Sequence, residues 1–221
     1  LATQSETQLL KRLWQAFDGP NWSSRVQVSD WDFQACSDVC PRGFTGRPTC
    51  AGFTGIFCSN GVVRDFGFAK ENQAVGTIPA EAGELRASRM FLYNQAQLSG
   101  TIPAELFNNN QLAQLEIANT GVSGTIPERI SDVASTLAIL KLHRNKLSGS
   151  IPDGLHVSSL VTLYQNRLCS RYPTHLENAD CRIKDVLDSN IILCPYPSPT
   201  NDYYPVNDPD GVADNKCRDS S

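Results

Sequence analysis

Cysteine is the residue type whose number and spacing most suggest chemistry in this sequence. The chain of 221 residues contains eight cysteines, four near each end and none between. Zinc sites usually pair cysteines as CxxC, a spacing that is absent here. An even number confined to the ends predicts disulfides and an oxidising compartment: secreted, at the cell surface or in another such lumen. The cysteines are Cys36, Cys40, Cys50, Cys58, Cys169, Cys181, Cys194 and Cys217.

Histidines are the other candidates for chemistry, and they occur at His143, His156 and His175. None lies in an HExxH pattern, and the chain has neither a GxSxG nucleophile motif nor a GxxxxGK[ST] phosphate-binding loop. Catalysis needs several groups that converge in a pocket. We therefore expect no enzymatic activity, no metal site and no cofactor.

The charge and hydropathy of the chain limit its partners. The formal net charge is -4, without a basic stripe, which argues against nucleic acid and anionic membranes. No apolar run approaches the roughly 18 residues of a membrane span, so we expect no membrane insertion by this chain. Asn21 begins an Asn-Trp-Ser sequence and is a candidate glycosylation acceptor.

A short phrase that recurs four times organises the middle of the chain. It reads VGTIPAE, LSGTIPAE, VSGTIPER and LSGSIPDG, and its glycines are spaced by 24, 24 and 25 residues. A repeat of this length predicts a solenoid, in which each unit buries its apolar edge only by stacking on its neighbours. The glycines are Gly76, Gly100, Gly124 and Gly149.

Counting back from each glycine predicts one short strand per repeat. Apolar pairs nine and seven residues before the glycine should point inward, namely Phe91 with Tyr93, Leu115 with Ile117, and Leu140 with Leu142. Strands stack about 4.8 Å apart, so outward residues of adjacent repeats should be neighbours. The outward residues on this alignment, which form the predicted partner-binding face, are Leu92, Asn94, Gln95, Glu116, Asn119, Lys141, His143, Arg144, Tyr164 and Gln165.

A polar column should lie four residues before each glycine. Asn72 and Asn145 occupy it, and Asn166 takes the equivalent place in a fifth, incomplete unit. An inward asparagine at a bend can bond backbone groups that would otherwise be buried without partners. Ala96 and Thr120 stand in the same column, and we expect Ala96 to interrupt the ladder.

The segments outside the repeats should close the ends of the stack. An apolar stripe from Leu9 to Phe17 predicts an amphipathic helix, followed by irregular structure anchored by Trp22, Trp31, Phe44 and Phe53. The predicted organisation is an N-terminal cap at 1–61, repeats at 62–168, and a cysteine-tied C-terminal cap and strap at 169–221.

The pattern LxxLxLxxNxLSGxIPxxL, which residues 137–155 match almost position for position, resembles the plant-specific type of leucine-rich repeat. This resemblance implies an α/β repeat fold, a right-handed solenoid of about five repeats with cysteine-bearing caps. By likeness to the family's N-terminal cap, Cys50 would pair with Cys58 and Cys36 with Cys40. Such proteins typically bind a protein, or in second place a carbohydrate, on the exposed side of the strands.

Two alternative functions are also compatible with the sequence. The chain is compatible with a structural subunit that assembles with other chains at the cell surface. An outward hydroxyl column at Thr77, Thr101, Thr125 and Ser150 is also a feature of ice-binding proteins, although hydroxyls that cap the turns would explain it equally well.

Overall fold

The computed structural model describes residues 6–21, 31, 33, 38–43, 45–48, 53, 55–68 and 73–169. In this part of the chain a single α-helix, α1 (Glu6–Ala16), precedes a regular succession of short strands. The strands are β1 (Thr45–Gly46), β2 (Phe57–Ser59), β3 (Val62–Gly67), β4 (Gly76–Thr77), β5 (Arg89–Phe91), β6 (Leu98–Ser99), β7 (Gln114–Glu116), β8 (Ser123–Gly124), β9 (Ile139–Lys141), β10 (Lys146–Ser150), β11 (Leu160–Thr162) and β12 (Arg167–Cys169).

The strands form a main sheet and a side sheet that share one repeat period. The main sheet has the order β1-β2-β3-β5-β7-β9-β11, and its strands are parallel from β3 onward. The even-numbered strands from β4 pair in parallel on a second side, as β4-β6 and as β8-β10-β12. Each repeat therefore contributes one rung to each side, which confirms the predicted solenoid.

The third side of the solenoid consists of short 3₁₀ helices at Ala80–Glu84, Ala104–Asn108 and Glu128–Val133. Each begins directly after a proline in extended conformation, at Pro79, Pro103 or Pro127. Proline lacks an amide hydrogen, so it cannot continue the hydrogen bonds of the strand ladder. Its fixed φ near −65° suits the start of a helical turn, where the first amides have no partner within the helix. The prolines of the recurring phrase thus mark where each of these helical turns begins.

Apolar columns hold the rungs together. Leu115 faces Leu140, and Leu140 faces Val161, with all three buried. Ile117 and Leu142 form a second buried column. Because burial of a leucine or isoleucine side chain contributes about 2 to 3 kcal/mol, and each column residue is covered only by adjacent rungs, the stack is stable as a unit.

The second rung is shifted by one residue from its predicted alignment. Met90 faces both Phe66 and Leu115 and is buried, as is Leu92, whereas Phe91 faces Glu116 on the outer side. The prediction that Phe91 and Tyr93 point inward and Leu92 outward is therefore wrong. Met90 lies ten residues before Gly100, whereas the corresponding residue of the next two repeats lies nine before its glycine. The extra residue is accommodated in a turn in which the Leu98 amide donates to the Gln95 carbonyl at 2.9 Å.

The same shift corrects the polar ladder. Gln95, which was expected on the outer face, is 1% exposed and takes the ladder position. Its Oε1 accepts from the Ala74 amide at 2.7 Å, and its Nε2 donates to the Tyr93 carbonyl at 3.0 Å. The prediction that Ala96 interrupts the ladder is wrong, because the inserted residue moves glutamine into that place. Asn72 lies outside the described residues.

Asn145 and Asn166 take their predicted ladder roles. Asn145 Nδ2 donates to the Leu142 carbonyl at 2.9 Å and to the Ile117 carbonyl, while its Oδ1 accepts from the Thr120 amide at 3.1 Å. Asn166 Nδ2 donates to the carbonyls of Leu142 and Leu163, at 2.8 and 2.9 Å. These side chains satisfy backbone groups at the bend where the chain leaves the main sheet.

Glycine is required in the recurring phrase for two reasons. Gly100 has φ +76°, and a Cβ added there would lie 2.7 Å from Thr77 Cγ2 on the preceding rung. The serine before it bonds the same rung, since Ser99 Oγ donates to the Gly76 carbonyl at 3.1 Å. Ser123 repeats this bond to Gly100 at 3.1 Å. It is thus the serine, rather than the outward threonine, that bonds the turn.

The N-terminal cap covers the first rung with helix α1. The predicted apolar stripe is confirmed: Leu9, Leu10 and Leu13 are buried, and so is Phe17 just after the helix. Trp31 stacks on Phe53 with ring centroids 5.4 Å apart, and both are buried, as predicted. Trp22 and Phe44 lie outside the described residues.

A disulfide joins Cys40 to Cys58 in this cap. This bond contradicts the pairing implied by the family resemblance, in which Cys58 would bond Cys50 and Cys40 would bond Cys36. Cys40 lies beside the buried Val39, whose carbonyl contacts Cys58 Sγ at 3.3 Å, and Val39 N donates to Thr7 Oγ1 on α1 at 2.9 Å. The bond thus ties the segment that contacts α1 to strand β2. Cys36, Cys50, Cys181, Cys194 and Cys217 lie outside the described residues.

Candidate binding face

The outer side of the main sheet, with the bend that follows each strand, is defined here as the strand face. Its first column runs across β5, β7, β9 and β11 as Phe91, Glu116, Lys141 and Thr162. The next column lies two residues after the first one, just beyond the strand ends. It contains Tyr93, Ala118, His143 and Tyr164. Backbone bonds link the same rungs just beyond it, from Asn94 to Ala118, from Asn119 to His143 and from Arg144 to Tyr164, at 2.9 Å each.

Two ion pairs neutralise charged side chains on the first four rungs. Lys141 Nζ lies 2.9 Å from Glu116 Oε1, which confirms that these predicted neighbours are in contact. Gln114 Nε2 donates to the same oxygen at 2.6 Å, and Glu116 is only 8% exposed. On the first two rungs, Arg89 binds both carboxylate oxygens of Asp65.

Aromatic rings form the most exposed apolar part of the strand face. Tyr93 is 45% exposed, the only large hydrophobic side chain with that exposure among the described residues. His143 and Tyr164, predicted neighbours, stack with ring centroids 4.5 Å apart and planes inclined by 14°. Ala118, which is 4% exposed, lies between Tyr93 and His143, so these two residues are two rung spacings apart, roughly 10 Å.

The residue three positions after each of the main strands β5, β7, β9 and β11 adopts a left-handed backbone conformation. Asn94, Asn119, Arg144 and Gln165 have φ of +57°, +55°, +57° and +55°. Non-glycine residues rarely adopt this conformation, which asparagine tolerates best. The four side chains bond in pairs: Asn119 Nδ2 donates to Asn94 Oδ1 and Arg144 Nε donates to Gln165 Oε1, both at 2.9 Å. These bonds orient polar groups along one edge of the strand face.

The environment of His143 disfavours its protonated form. Partial burial lowers the pKa of His143, and the nearby cations Arg144 and Lys141 lower it further, while Glu116 acts in the opposite direction. The ring is held between the Tyr164 ring and the Thr162 hydroxyl, which lies 2.9 Å from its Nδ1. We therefore expect a neutral imidazole at neutral pH.

This pKa shift predicts a pH dependence of stability. The His143 ring binds a proton more readily in the unfolded chain than in the folded state. The contribution of neutral His143 to the free energy of unfolding is therefore fully present above the ordinary pKa of 6.5. It is lost as the pH falls through the lowered pKa of the folded protein. We expect His143→Gln to flatten the pH dependence of the free energy of unfolding between about pH 5 and pH 7, measured by urea titration.

A direct measurement of the His143 pKa checks the cause. An NMR titration of the His143 ring should give a midpoint below 6.5 in the native protein and a higher one in Arg144→Gln, which lacks one neighbouring cation. A native midpoint at or above 6.5 would contradict the interpretation.

The structure brings most of the predicted site residues together and removes two. Leu92, 1% exposed, belongs to the core, and Gln95 belongs to the ladder, so both predictions of an outward side chain are wrong. Phe91 and Tyr93 take their places, a change that counting from Gly100 missed. The predicted residues that do lie on the strand face are Asn94, Glu116, Asn119, Lys141, His143, Arg144, Tyr164 and Gln165.

Other surfaces of the described residues offer less organised chemistry. A shallow depression on the 3₁₀ side is lined by three acids, Glu81, Glu84 and Glu105, of which Glu84 pairs with Arg12 of α1 at 3.2 Å. Within the described ranges no cluster of three or more His, Cys, Asp or Glu could hold a metal ion. In the same part of the chain, no helix has both the length and the apolar character to span a membrane.

Comparison with known proteins identifies the fold. No family model matches the chain. The chain is similar to the BIR2 ectodomain from Arabidopsis thaliana, with 22% identity, a TM-score of 0.67, and coverage of 89% of this chain and 97% of that one. It is similar to a chain of the BIR3–SERK2 complex from Arabidopsis thaliana, with 24% identity, a TM-score of 0.62, and coverage of 86% and 95%.

A plant ice-binding protein is also similar, with 20% identity, a TM-score of 0.57, and coverage of 81% of this chain and 61% of that one. The LRR ectodomain of the receptor kinase SOBIR1 from Arabidopsis thaliana is similar as well, with 21% identity, a TM-score of 0.53, and coverage of 76% of this chain and 82% of that one. At identities below 25%, these likenesses establish a common fold. The chain is therefore a right-handed leucine-rich-repeat solenoid, as the repeat pattern predicted.

Proposed function

We propose that this chain is a non-catalytic binding module that captures a protein partner on its strand face. The observation that carries the proposal is the exposed Tyr93 in the same column as the stacked pair of His143 and Tyr164, two rungs away on one sheet. Tyrosine and arginine dominate the energetics of protein interfaces, and Arg144 lies at the edge of the same surface. Of the similar structures, the BIR3–SERK2 complex contains a leucine-rich-repeat ectodomain in a protein complex.

Preorganisation is the physical basis of such binding. The strand positions are set by the buried columns, and hydrogen bonds hold His143 and Arg144 before a partner arrives. Fewer side-chain rotamers are then lost on association, where each costs about 0.5 to 1.5 kcal/mol. The solenoid acts by presenting fixed side chains to its partner.

The compartment and organisation of the chain are part of the proposal. The Cys40–Cys58 disulfide supports a secreted, cell-surface or lumenal location, because such bonds persist in oxidising environments. We assign residues 1–61 to an N-terminal cap, 62–168 to plant-type repeats, and 169–221 to a cysteine-tied C-terminal cap and strap.

The alternatives receive less support from the geometry. Thr77 faces Ser99 across the side sheet, and Thr101 faces Ser123, so successive threonines are displaced by two residues. Their separation is then an oblique distance of roughly 8 Å. This oblique column does not favour ice binding over partner binding. No observation on the described residues favours a structural subunit or a carbohydrate partner over a protein.

Capture from the native source tests the proposal. The full chain, immobilised, should retain a protein that mass spectrometry identifies. Tyr93→Ala with Tyr164→Ala should weaken the affinity for that protein about 100-fold, which corresponds to a loss of roughly 3 kcal/mol for the two truncated tyrosines together. The matched control, Glu105→Ala with Asn108→Ala on the 3₁₀ side, should bind normally. Equal affinity of the two variants, both folded by circular dichroism, would refute the strand face as the site.

A further inference from the structure

Beside the strand face, the last described bends and the first residues of the side strands β10 and β12 carry cations that no described acid neutralises. Arg144, Lys146 and Arg167 are all exposed, and they are defined here as the cationic edge. None has an ion pair among the described residues, whereas Arg89 and Lys141 do. Three cations without an acidic partner among the described residues therefore lie on the fourth and fifth rungs.

The backbone places the three residues of the cationic edge on adjacent rungs. The Arg144 amide donates to the Tyr164 carbonyl at 2.9 Å, and the Asn145 amide donates to the Gln165 carbonyl at 3.2 Å. Beyond the bend, Ser148 of β10 faces Arg167 of β12. The cations thus extend from two adjacent rungs, which are about 4.8 Å apart, and one extended segment can contact all of them.

From this placement we infer that the partner presents an acidic polypeptide segment, whose side-chain carboxylates bind the cationic edge. The inference rests on the proposed function and specifies the chemistry of its partner. Arg144 is already oriented for this role, since its Nε bond to Gln165 leaves the terminal guanidinium nitrogens to meet a carboxylate. Charge-assisted bonds of this kind also speed encounter and select the partner's orientation.

The arrangement of the aromatic rings favours a polypeptide over an anionic polysaccharide. Sugars bind aromatic residues by stacking on a free ring face. His143 and Tyr164 cover one face of each other, and the Arg89 guanidinium lies 5.9 Å from the centroid of the Phe91 ring. These contacts occupy one face of each of these three rings, a face on which a sugar would otherwise stack, and in this way they favour a polypeptide.

The chain as a whole is acidic, with a formal net charge of -4. An acidic segment is therefore attracted only where the local field is positive, and screening limits that field to about 10 Å at ordinary ionic strength. Binding should accordingly require the cationic edge itself and should weaken as salt is added.

A blocked peptide tests the inference. The probe is a fluorescent dodecapeptide of alternating glutamate and glycine, acetylated and amidated so that only side chains carry charge, and the matched probe has glutamine in place of glutamate. We expect the full chain to bind the glutamate probe at least tenfold more tightly than the glutamine probe at 50 mM salt. Arg144→Gln, Lys146→Gln and Arg167→Gln together should abolish that difference.

A second triple variant separates local recognition from net charge. Lys11→Gln, Arg42→Gln and Arg47→Gln remove the same charge from exposed positions of the N-terminal cap and should leave probe binding unchanged. Equal losses in both triple variants, no binding of the glutamate probe, or binding of polygalacturonate in its place would overturn the inference. If Tyr93 and Tyr164 are still needed to capture the native partner, such a result leaves the proposed function intact.

Discussion

Replacing Asn145 by alanine should lower the free energy of unfolding by about 3 kcal/mol. Asn145 donates to the carbonyls of Ile117 and Leu142 and accepts from the Thr120 amide. Alanine would leave the Ile117 carbonyl without a partner at a bend between two sheets, and it would leave the Leu142 carbonyl with Asn166 alone and the Thr120 amide with the Arg144 carbonyl alone, at 3.3 Å. A buried group left unsatisfied costs about 1 to 3 kcal/mol, and the losses at one site are not fully additive.

Asn110→Ala is the matched control, because it makes the same chemical change at an exposed connecting residue. Its effect should stay within about 0.5 kcal/mol. Asn145→Asp adds a second test, since aspartate keeps the acceptor for Thr120 but turns a carboxylate toward two carbonyls. Urea unfolding followed by far-UV circular dichroism gives all three values. If Asn145→Ala and Asn110→Ala were equally stable, the ladder would have no energetic role.

Removal of the Cys40–Cys58 disulfide should cost a similar amount. The bond closes a loop with a sequence separation of 18 residues. On the chain-entropy model, opening a loop of that size removes about 3 kcal/mol of stability. We expect the double variant Cys40→Ala and Cys58→Ala to lose that amount, measured by urea unfolding of the full chain under non-reducing conditions.

Peptide mapping without reduction tests the assigned pairing independently of stability. Digestion of the native chain should release a linked pair of peptides that contain Cys40 and Cys58. A linked pair containing Cys50 and Cys58 would contradict the structure and restore the pairing that the family resemblance implied. A double variant as stable as the native chain would instead show that burial around Val39, and not the bond, holds the cap together.

The repeat architecture could be predicted from sequence because each column recurs at nearly constant spacing. Leu115, Leu140 and the asparagines at 145 and 166 occupy the positions expected of them. One short phrase was enough to set the fold, since a unit that repeats must stack in the same way each time. The ion pair of Glu116 with Lys141 followed from the same regularity.

The second rung could not be predicted by counting from its glycine. Residues 90–93 are all apolar or aromatic, so alternation fits equally well with Met90 and Leu92 inside or with Phe91 and Tyr93 inside. Contacts with the adjacent rungs determine which of these residues point inward, and there Met90 faces Phe66 and Leu115. Comparison of Leu92 and Gln95 with the strand of the next repeat, rather than with the glycine, would have found the correct alignment.

The disulfide pairing depended on information that spacing does not contain. Four cysteines allow three connectivities, and the choice between them is made by the fold of an irregular segment. That fold depends on contacts distant in sequence, such as the bond of Val39 to Thr7 on α1.

The turn at Ala96 and Gln97 has a consequence for how such proteins diversify and can be engineered. An additional residue is absorbed between the ladder position and Leu98, and both sheets continue through the second rung in register. Insertions or deletions at this bend therefore change the length of a repeat without reorienting the side chains that it displays. A library of loops could therefore be grafted at this bend while the side chains of the strand face stay in place. At this site the length of a repeat can change independently of the residues that contact a partner.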